Sequence, residues 1–188
     1  MAGVMAAILE NGFQRMITLV TATLPVRASM LAEMLATTAE QTVHPSAHII
    51  VRDFGDGFVE TVNRAVAMVD TEFFCLVDDD DLLFPHHVET LSSNLTADIV
   101  WTWVEVEGRA WNPNSSYLPG ELKHRNYIPS NLAMRASLWR KMGGYRHGPE
   151  HPDWDMLARA EASGASFLNV PETTWKYRFH GGNMSLNG

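Results

Sequence analysis

Apolar positions along this chain switch between strand-like runs and helix-like spacing, in a regular order. Met16 to Thr21 is a β-branched run that predicts a strand, and Pro25 to Ser29 lead into Leu31, Met34, Leu35 and Thr38 at helical spacing. Ala47 to Val51 predicts a second strand; Phe54-Gly55-Asp56-Gly57 carries turn chemistry, and Val59, Val62, Val66 and Val69 mark a second helix. Phe73 to Val77 predicts a third strand, after which Pro85 suits a first helical position, with Val88, Leu91 and Leu95 on one face. Three successive β-α units predict an α/β fold with a mostly parallel, Rossmann-like central sheet flanked by helices. Right-handed crossovers align the C-terminal ends of such strands, so Thr21 to Thr23, Asp53 and Asp78 to Asp81 are expected at one crevice.

The second half is less regular. Ile99 to Val106 is a tryptophan-rich strand, whereas Gly108 to Ile128, with Pro113, Pro119, Gly120, Asn112 and Asn114, reads as a long loop. A strand is expected at Leu132 to Met134, then a short helix ending at Gly143-Gly144 and a helix from Asp153 to Ser163 stopped by Gly164. Two strands are expected near Phe167 to Val170 and Trp175 to Phe179.

Composition adds limits rather than shape. With 188 residues, 46% hydrophobic and 19% charged, the chain is an ordinary globular protein of one domain, spanning 1–188. The excess of 22 acidic over 14 basic residues gives a formal charge of -8, which counts against a nucleic-acid partner. Met1 to Leu9 is apolar but has no basic flank and is interrupted by Glu10, so neither a signal peptide nor a membrane span is expected. The single cysteine, Cys75, lies in an apolar run and reads as a buried thiol, in keeping with a cytoplasmic location.

Three segments carry candidate chemistry. Asp78 to Asp81 end a buried strand, and four adjacent carboxylates repel one another unless a cation intervenes; oxygen donors suit Mn2+ or Mg2+. The other reading is a solvated turn capping the next helix. Asp153, after Pro152, falls at a helix N-terminus, where the dipole keeps a carboxylate ionised and able to accept a proton; a simple N-cap is the alternative. In the tail Tyr177-Arg178-Phe179-His180, an imidazole can ligate Mn2+ and a guanidinium can clamp a diphosphate, although an isolated histidine is more often structural.

Taken together these segments resemble the family 2 glycosyltransferases of the GT-A fold, inverting enzymes that use nucleotide-diphospho-sugars. The likeness runs from Ile17 to Ser185. It rests on Thr21-Ala22-Thr23, Asn63-Arg64, Leu76-Val77 before the four aspartates, Pro85, Gly143-Gly144-Tyr145, Asp153-Trp154-Asp155 with Arg159, and the His180 tail. The resemblance implies a nucleotide-binding part over about 16–107 and an acceptor and catalytic part over about 108–188. It implies Asp80 and His180 as metal ligands and Asp153 as general base. Thr21, Thr23, Arg27, Asp53, Asn63, Arg64, Asp78, Asp79 and Arg178 would lie around the nucleotide.

The chain departs from the family pattern at Pro152, Arg52 and Leu24, which leaves the donor base open between uridine, the family's preference, and guanosine or thymidine. Trp101, Trp103, Trp111, Tyr117 and Trp154 are candidate sugar-stacking surfaces, with Trp154 and Trp103 foremost. The acceptor, whether glycan, lipid-linked sugar, protein or modified nucleobase, is not readable from these residues. Two other classes remain open at this point: a metal-dependent phosphohydrolase or nucleotidyltransferase, and a non-catalytic module that binds sugar nucleotides.

Overall fold

The computed structural model describes residues 17–106 and 115–181. Strand β1 (Ile17–Thr23) is buried at every position but Ala22, as a central strand covered on both faces must be. It pairs in parallel with β2 (Ala47–Arg52) on one side and β3 (Phe73–Leu76) on the other. A short 3-10 turn (Pro25–Arg27) opens into α1 (Ala28–Ala39), and α2 (Phe58–Val66) supplies the second crossover. The expected βαβαβ start is therefore present.

Beyond β3 the sheet is mixed. Its order is β2-β1-β3-β6-β5-β7-β4, with β4 (Leu82–Leu83), β5 (Ile99–Val106), β6 (Leu132–Arg135) and β7 (Phe167–Tyr177). Strand β6 sits antiparallel between β3 and β5, while β7 runs parallel to β5 and antiparallel to β4. The expectation of a mostly parallel sheet holds for the first three strands. It gives way where β5 reaches its neighbour β6 without a helical crossover, because a strand that returns beside its predecessor must run antiparallel.

Two further differences arise from local irregularity. The two strands expected near Phe167 and Trp175 are one continuous strand, β7. Its register against β5 shifts so that Thr102 faces Val170 while Trp103 faces Thr173, leaving Pro171 and Glu172 outside the ladder. Proline lacks the N–H that a ladder position needs, so a break in register at Pro171 follows from its chemistry. The two-residue β4 is too short to leave a periodic signature.

Helices cover both faces. On one, α2, α4 (Ala136–Met142) and α5 (Pro152–Ala162) pack through Val62, Ala65, Trp139, Met156 and Leu157. On the other, Leu31 and Met34 of α1 join Val88 and Leu91 of α3 (His87–Ser93). Residues from both halves of the chain enter both cores. Among the described residues no helix is long and apolar enough to cross a membrane.

One glycine in the frame tolerates no side chain. Gly144 follows α4 at φ +75, and a Cβ there would lie 2.4 Å from Asn63 Oδ1. That same oxygen accepts from the Tyr145 N–H at 2.9 Å, while Asn63 Nδ2 donates to the Tyr145 carbonyl at 2.9 Å, so the amide ties α2 to the exit of α4. Gly144→Ala is expected to lower stability by more than about 2 kcal/mol, combining positive-φ strain with displacement of this clamp. Urea unfolding measures it; a midpoint equal to wild type would show that the clamp yields without loss.

Candidate active site

The C-terminal ends of β1 and β3 lie side by side, joined by the Val77 N–H to Val20 carbonyl bond at 3.0 Å, and this delivers the aspartate run to the strand end next to Thr23. Asp79 (2% exposed), Asp80 (5%) and Asp81 (0%) are buried, and Asp78 is half-buried. A solvated turn is thereby excluded.

Each of the first three aspartates has an identifiable partner. Thr23 Oγ1 donates to Asp79 at 2.6 Å, and Arg27 Nη1 bridges Asp79 at 2.9 Å and Asp80 at 2.8 Å. His180 Nε2 lies 2.9 Å from the same Asp80 oxygen, and the Arg178 guanidinium donates to the Asp80 carbonyl and to Glu33. Ser130 Oγ donates to Asp78 at 2.7 Å. Asp81 has no such partner on either oxygen. Burial, reinforced by the neighbouring Asp80 charge, pushes the Asp78 carboxyl up to about 7. Burial and the charges of Asp78 and Asp80 push Asp81 well above the usual carboxylate range.

This group could hold a cation. One ligand oxygen each from Asp78, Asp80 and Asp81 lie within 4.8 Å of one another. All are hard oxygen donors, as Mn2+ or Mg2+ prefer, and the orphaned oxygens of Asp81 are the kind of buried polar atoms that demand an ion or a proton.

Asp153 lies near this cluster. It occupies the second position of α5, after Pro152 at the first, while His151 is the N-cap residue. Its carboxylate is therefore not a cap. Proline is well suited to a first helical turn, which gives the departure at Pro152 a local reason. Asp153 is close enough to Asp78 for their charges to repel, and Asn126 Nδ2 donates to its Oδ2 at 3.3 Å. Asp155, two residues on, accepts from Arg146 and Arg159, and Arg159 holds the Met142 and Gly144 carbonyls; this group braces α5 against α4.

Thr23, Arg27, Asp78, Asp79, Asp80, Arg178 and His180 are thus gathered in one place, with Asp153 near Asp78. Other sequence candidates have different partners. Thr21 donates its hydroxyl proton to the Val77 carbonyl at 2.9 Å and so accepts from His48 Nε2, also at 2.9 Å. Asn63 spends its amide on Tyr145. Asp53 reaches the same sheet edge, its N–H bonded to the Thr23 carbonyl, but its carboxylate accepts from the Gly55 and Gly57 N–H groups, which hold it below the usual range. Arg64 pairs with Asp56 at 2.7 Å and with the Arg52 carbonyl. It lines, with Ile50, Val51, Arg52, Phe54 and Asp56, an open depression of about 620 Å³ that includes none of the four aspartates.

Of the aromatic candidates, Trp101 is fully buried and Tyr117 stacks on Phe167, so both are packing residues. Trp103 Nε1 donates to Asn169 at 3.1 Å and Trp154 Nε1 to the Leu122 carbonyl at 2.6 Å, which leaves ring faces rather than N–H groups to offer a sugar. Trp111 lies outside the described residues. Ser130, Asn126 and Glu33 complete the site without having been singled out in the sequence, since single polar residues in loops or on helices carry no pattern.

The architecture recurs in solved structures. S. aureus TarS 1-349 in complex with UDP-GlcNAc superposes with a TM-score of 0.73 at 14% identity, covering 90% of this chain and 60% of that one. The complex of the same protein with UDP gives 0.70 at 13% identity, with 86% and 60% covered. The mannosyltransferase PcManGT from Pyrobaculum calidifontis, in complex with GDP-Man and Mn2+, gives 0.65 at 14% identity, with 93% and 60% covered. The chain spans about 60% of the length of these proteins, and at such identities the likeness speaks for the fold, that of GT-A glycosyltransferases. Among curated proteins none matches the sequence. The profile of the family described as Glycosyl transferase family 2 matches residues 31–147, more than half of the chain and inclusive of the aspartate run, and the protein belongs to that family.

Proposed function

We propose that this protein transfers a sugar, with inversion, from a nucleotide-diphospho-sugar, most simply a UDP-sugar, to an acceptor hydroxyl. The observation that carries the reading is the buried aspartate cluster at the end of β3, with Asp153 near enough to Asp78 for their charges to repel. In this reading the cluster serves the diphosphate and Asp153 the attacking hydroxyl. Family membership and the sugar-nucleotide complexes of the similar folds support the donor class.

In this mechanism Asp80, His180 and Asp78 would hold Mn2+ or Mg2+, and the cation supplies Lewis-acid stabilisation of the charge that develops on the leaving diphosphate. Arg27, at the Asp79 and Asp80 carboxylates, and Arg178, at the Asp80 main-chain carbonyl, would add guanidinium groups where that charge appears. Thr23 and Arg27 fix Asp79, and Ser130 fixes Asp78, so the cluster meets the nucleotide in a set geometry. Asn126 holds one oxygen of Asp153, and the other would take the proton from the acceptor hydroxyl as it attacks in line. One displacement inverts the anomeric carbon, and no covalent intermediate is needed. The buried, unpaired thiol of Cys75 accords with a reducing, cytoplasmic setting.

Thermal unfolding with UDP, GDP, dTDP and CDP, each with and without Mn2+, tests the donor. UDP with Mn2+ at about 100-fold above its Kd is expected to raise Tm by on the order of 5 °C, and a chelator to abolish the shift. A shift with GDP instead would reassign the base. No shift with any nucleotide would remove the transferase reading.

A further inference from the structure

The fourth aspartate takes no part in the contacts that organise the other three. Asp81 is 0% exposed, and neither carboxylate oxygen has a side-chain partner of the kind that holds its neighbours; the main-chain N–H and guanidinium of Arg178 favour its charged form, but burial and the charges of Asp78 and Asp80 outweigh them. Its neighbours are tied sideways to protein: Asp78 to Ser130, Asp79 to Thr23 and Arg27, Asp80 to Arg27 and His180. A buried carboxylate whose surroundings oppose its charge is strongly unfavourable unless a cation or a proton meets it. What lies within reach of Asp81 is the convergence point shared with Asp78 and Asp80, whose ligand oxygens and its own fall within 4.8 Å of one another.

We propose that Asp81 is a direct ligand of the divalent cation and that, with Asp78 and Asp80, it forms a three-carboxylate site that loads Mn2+ before any nucleotide binds. A cation held by one or two carboxylates relies on substrate phosphates to complete its shell. Three converging carboxylates supply enough charge and enough oxygen atoms to retain the ion alone. The consequence is an order of events: metal first, then nucleotide onto a site whose carboxylate repulsion has already been relieved. The inference rests on the transferase reading for the nucleotide that follows, though not for the metal step itself.

The test is a Mn2+ titration of nucleotide-free wild type and Asp81→Asn, followed by the EPR signal of free aquated Mn2+, with UDP and then GDP added afterwards. Wild type is expected to take up one Mn2+ per chain without nucleotide, and Asp81→Asn to bind it at least tenfold more weakly. In EDTA the variant is expected to unfold at or above the wild-type temperature, since a neutral amide replaces a carboxyl that burial and its neighbours disfavour in its charged form. Equal Mn2+ affinity in the two proteins overturns the role of Asp81. Should the variant fail to fold, wild type alone decides: uptake of Mn2+ only in the presence of UDP or GDP overturns the nucleotide-free site while leaving the transferase intact. Tight Mn2+ uptake with no nucleotide binding afterwards would leave this proposal standing and strike the donor reading instead.

Discussion

Asp153→Asn will bind metal and nucleotide within about twofold of wild type and transfer sugar on the order of 1,000-fold more slowly, within the range that a positioned general base contributes. The substitution keeps shape and removes only the ability to take a proton. Asn126 donates to Asp153 Oδ2, and an amide at position 153 can turn its oxygen to the same donor, so α5 keeps its local contacts. The neighbouring brace through Asp155, Arg146 and Arg159 is independent of this carboxylate. Steady-state release of nucleoside diphosphate in the presence of acceptor, set beside nucleotide binding by calorimetry, separates the two effects. Transfer at the wild-type rate would mean another group accepts the proton. Loss of binding would assign Asp153 to the metal or the frame, and nucleotide binding without turnover in both proteins would describe a binding module.

Asp80→Asn tests the metal side of the proposed displacement. Asp80 is the point where Arg27 and His180 meet a single carboxylate oxygen, and it shares the convergence point of Asp78 and Asp81. Removing its charge is expected to weaken Mn2+-dependent nucleotide binding by at least about 100-fold, equivalent to about 2.7 kcal/mol, because a ligand loss exceeds the 10–100-fold effect of outer-shell partners. Calorimetry with UDP at saturating Mn2+ reads this directly. The weak binding that remains should be insensitive to chelator. Retention of a chelator-sensitive affinity near wild type would move the metal off Asp80.

Local pattern carried much of this protein to the reader. The β1 to β3 units, the position of the aspartate run at a strand end and the placement of Asp153 in the first turn of α5 all follow from repeats of two or about four residues and from Pro152 and Gly164 as punctuation. Pairings across long separations did not. His180 reaches Asp80 a hundred residues away only because β4 zips against β7 at Leu82 and Leu83, a contact too brief to have a period. Thr21 and Asn63 looked equally placed for a nucleotide. Their polar groups are committed to His48, Val77 and Tyr145, partners 27 to 82 residues distant in sequence.

The chain by itself determined the α/β frame, the acidic strand end and the carboxylate at a helix start, since each depends on side-chain types at short, fixed spacing. Only the tertiary structure decided that β6 enters the sheet antiparallel, that β7 is one strand with Pro171 and Glu172 outside its ladder, and that Ser130, Arg27 and His180 each take an aspartate while Asp81 is left with none. Those outcomes depend on which buried polar groups find partners when distant segments pack, and that competition is settled by three-dimensional geometry rather than by spacing along the chain.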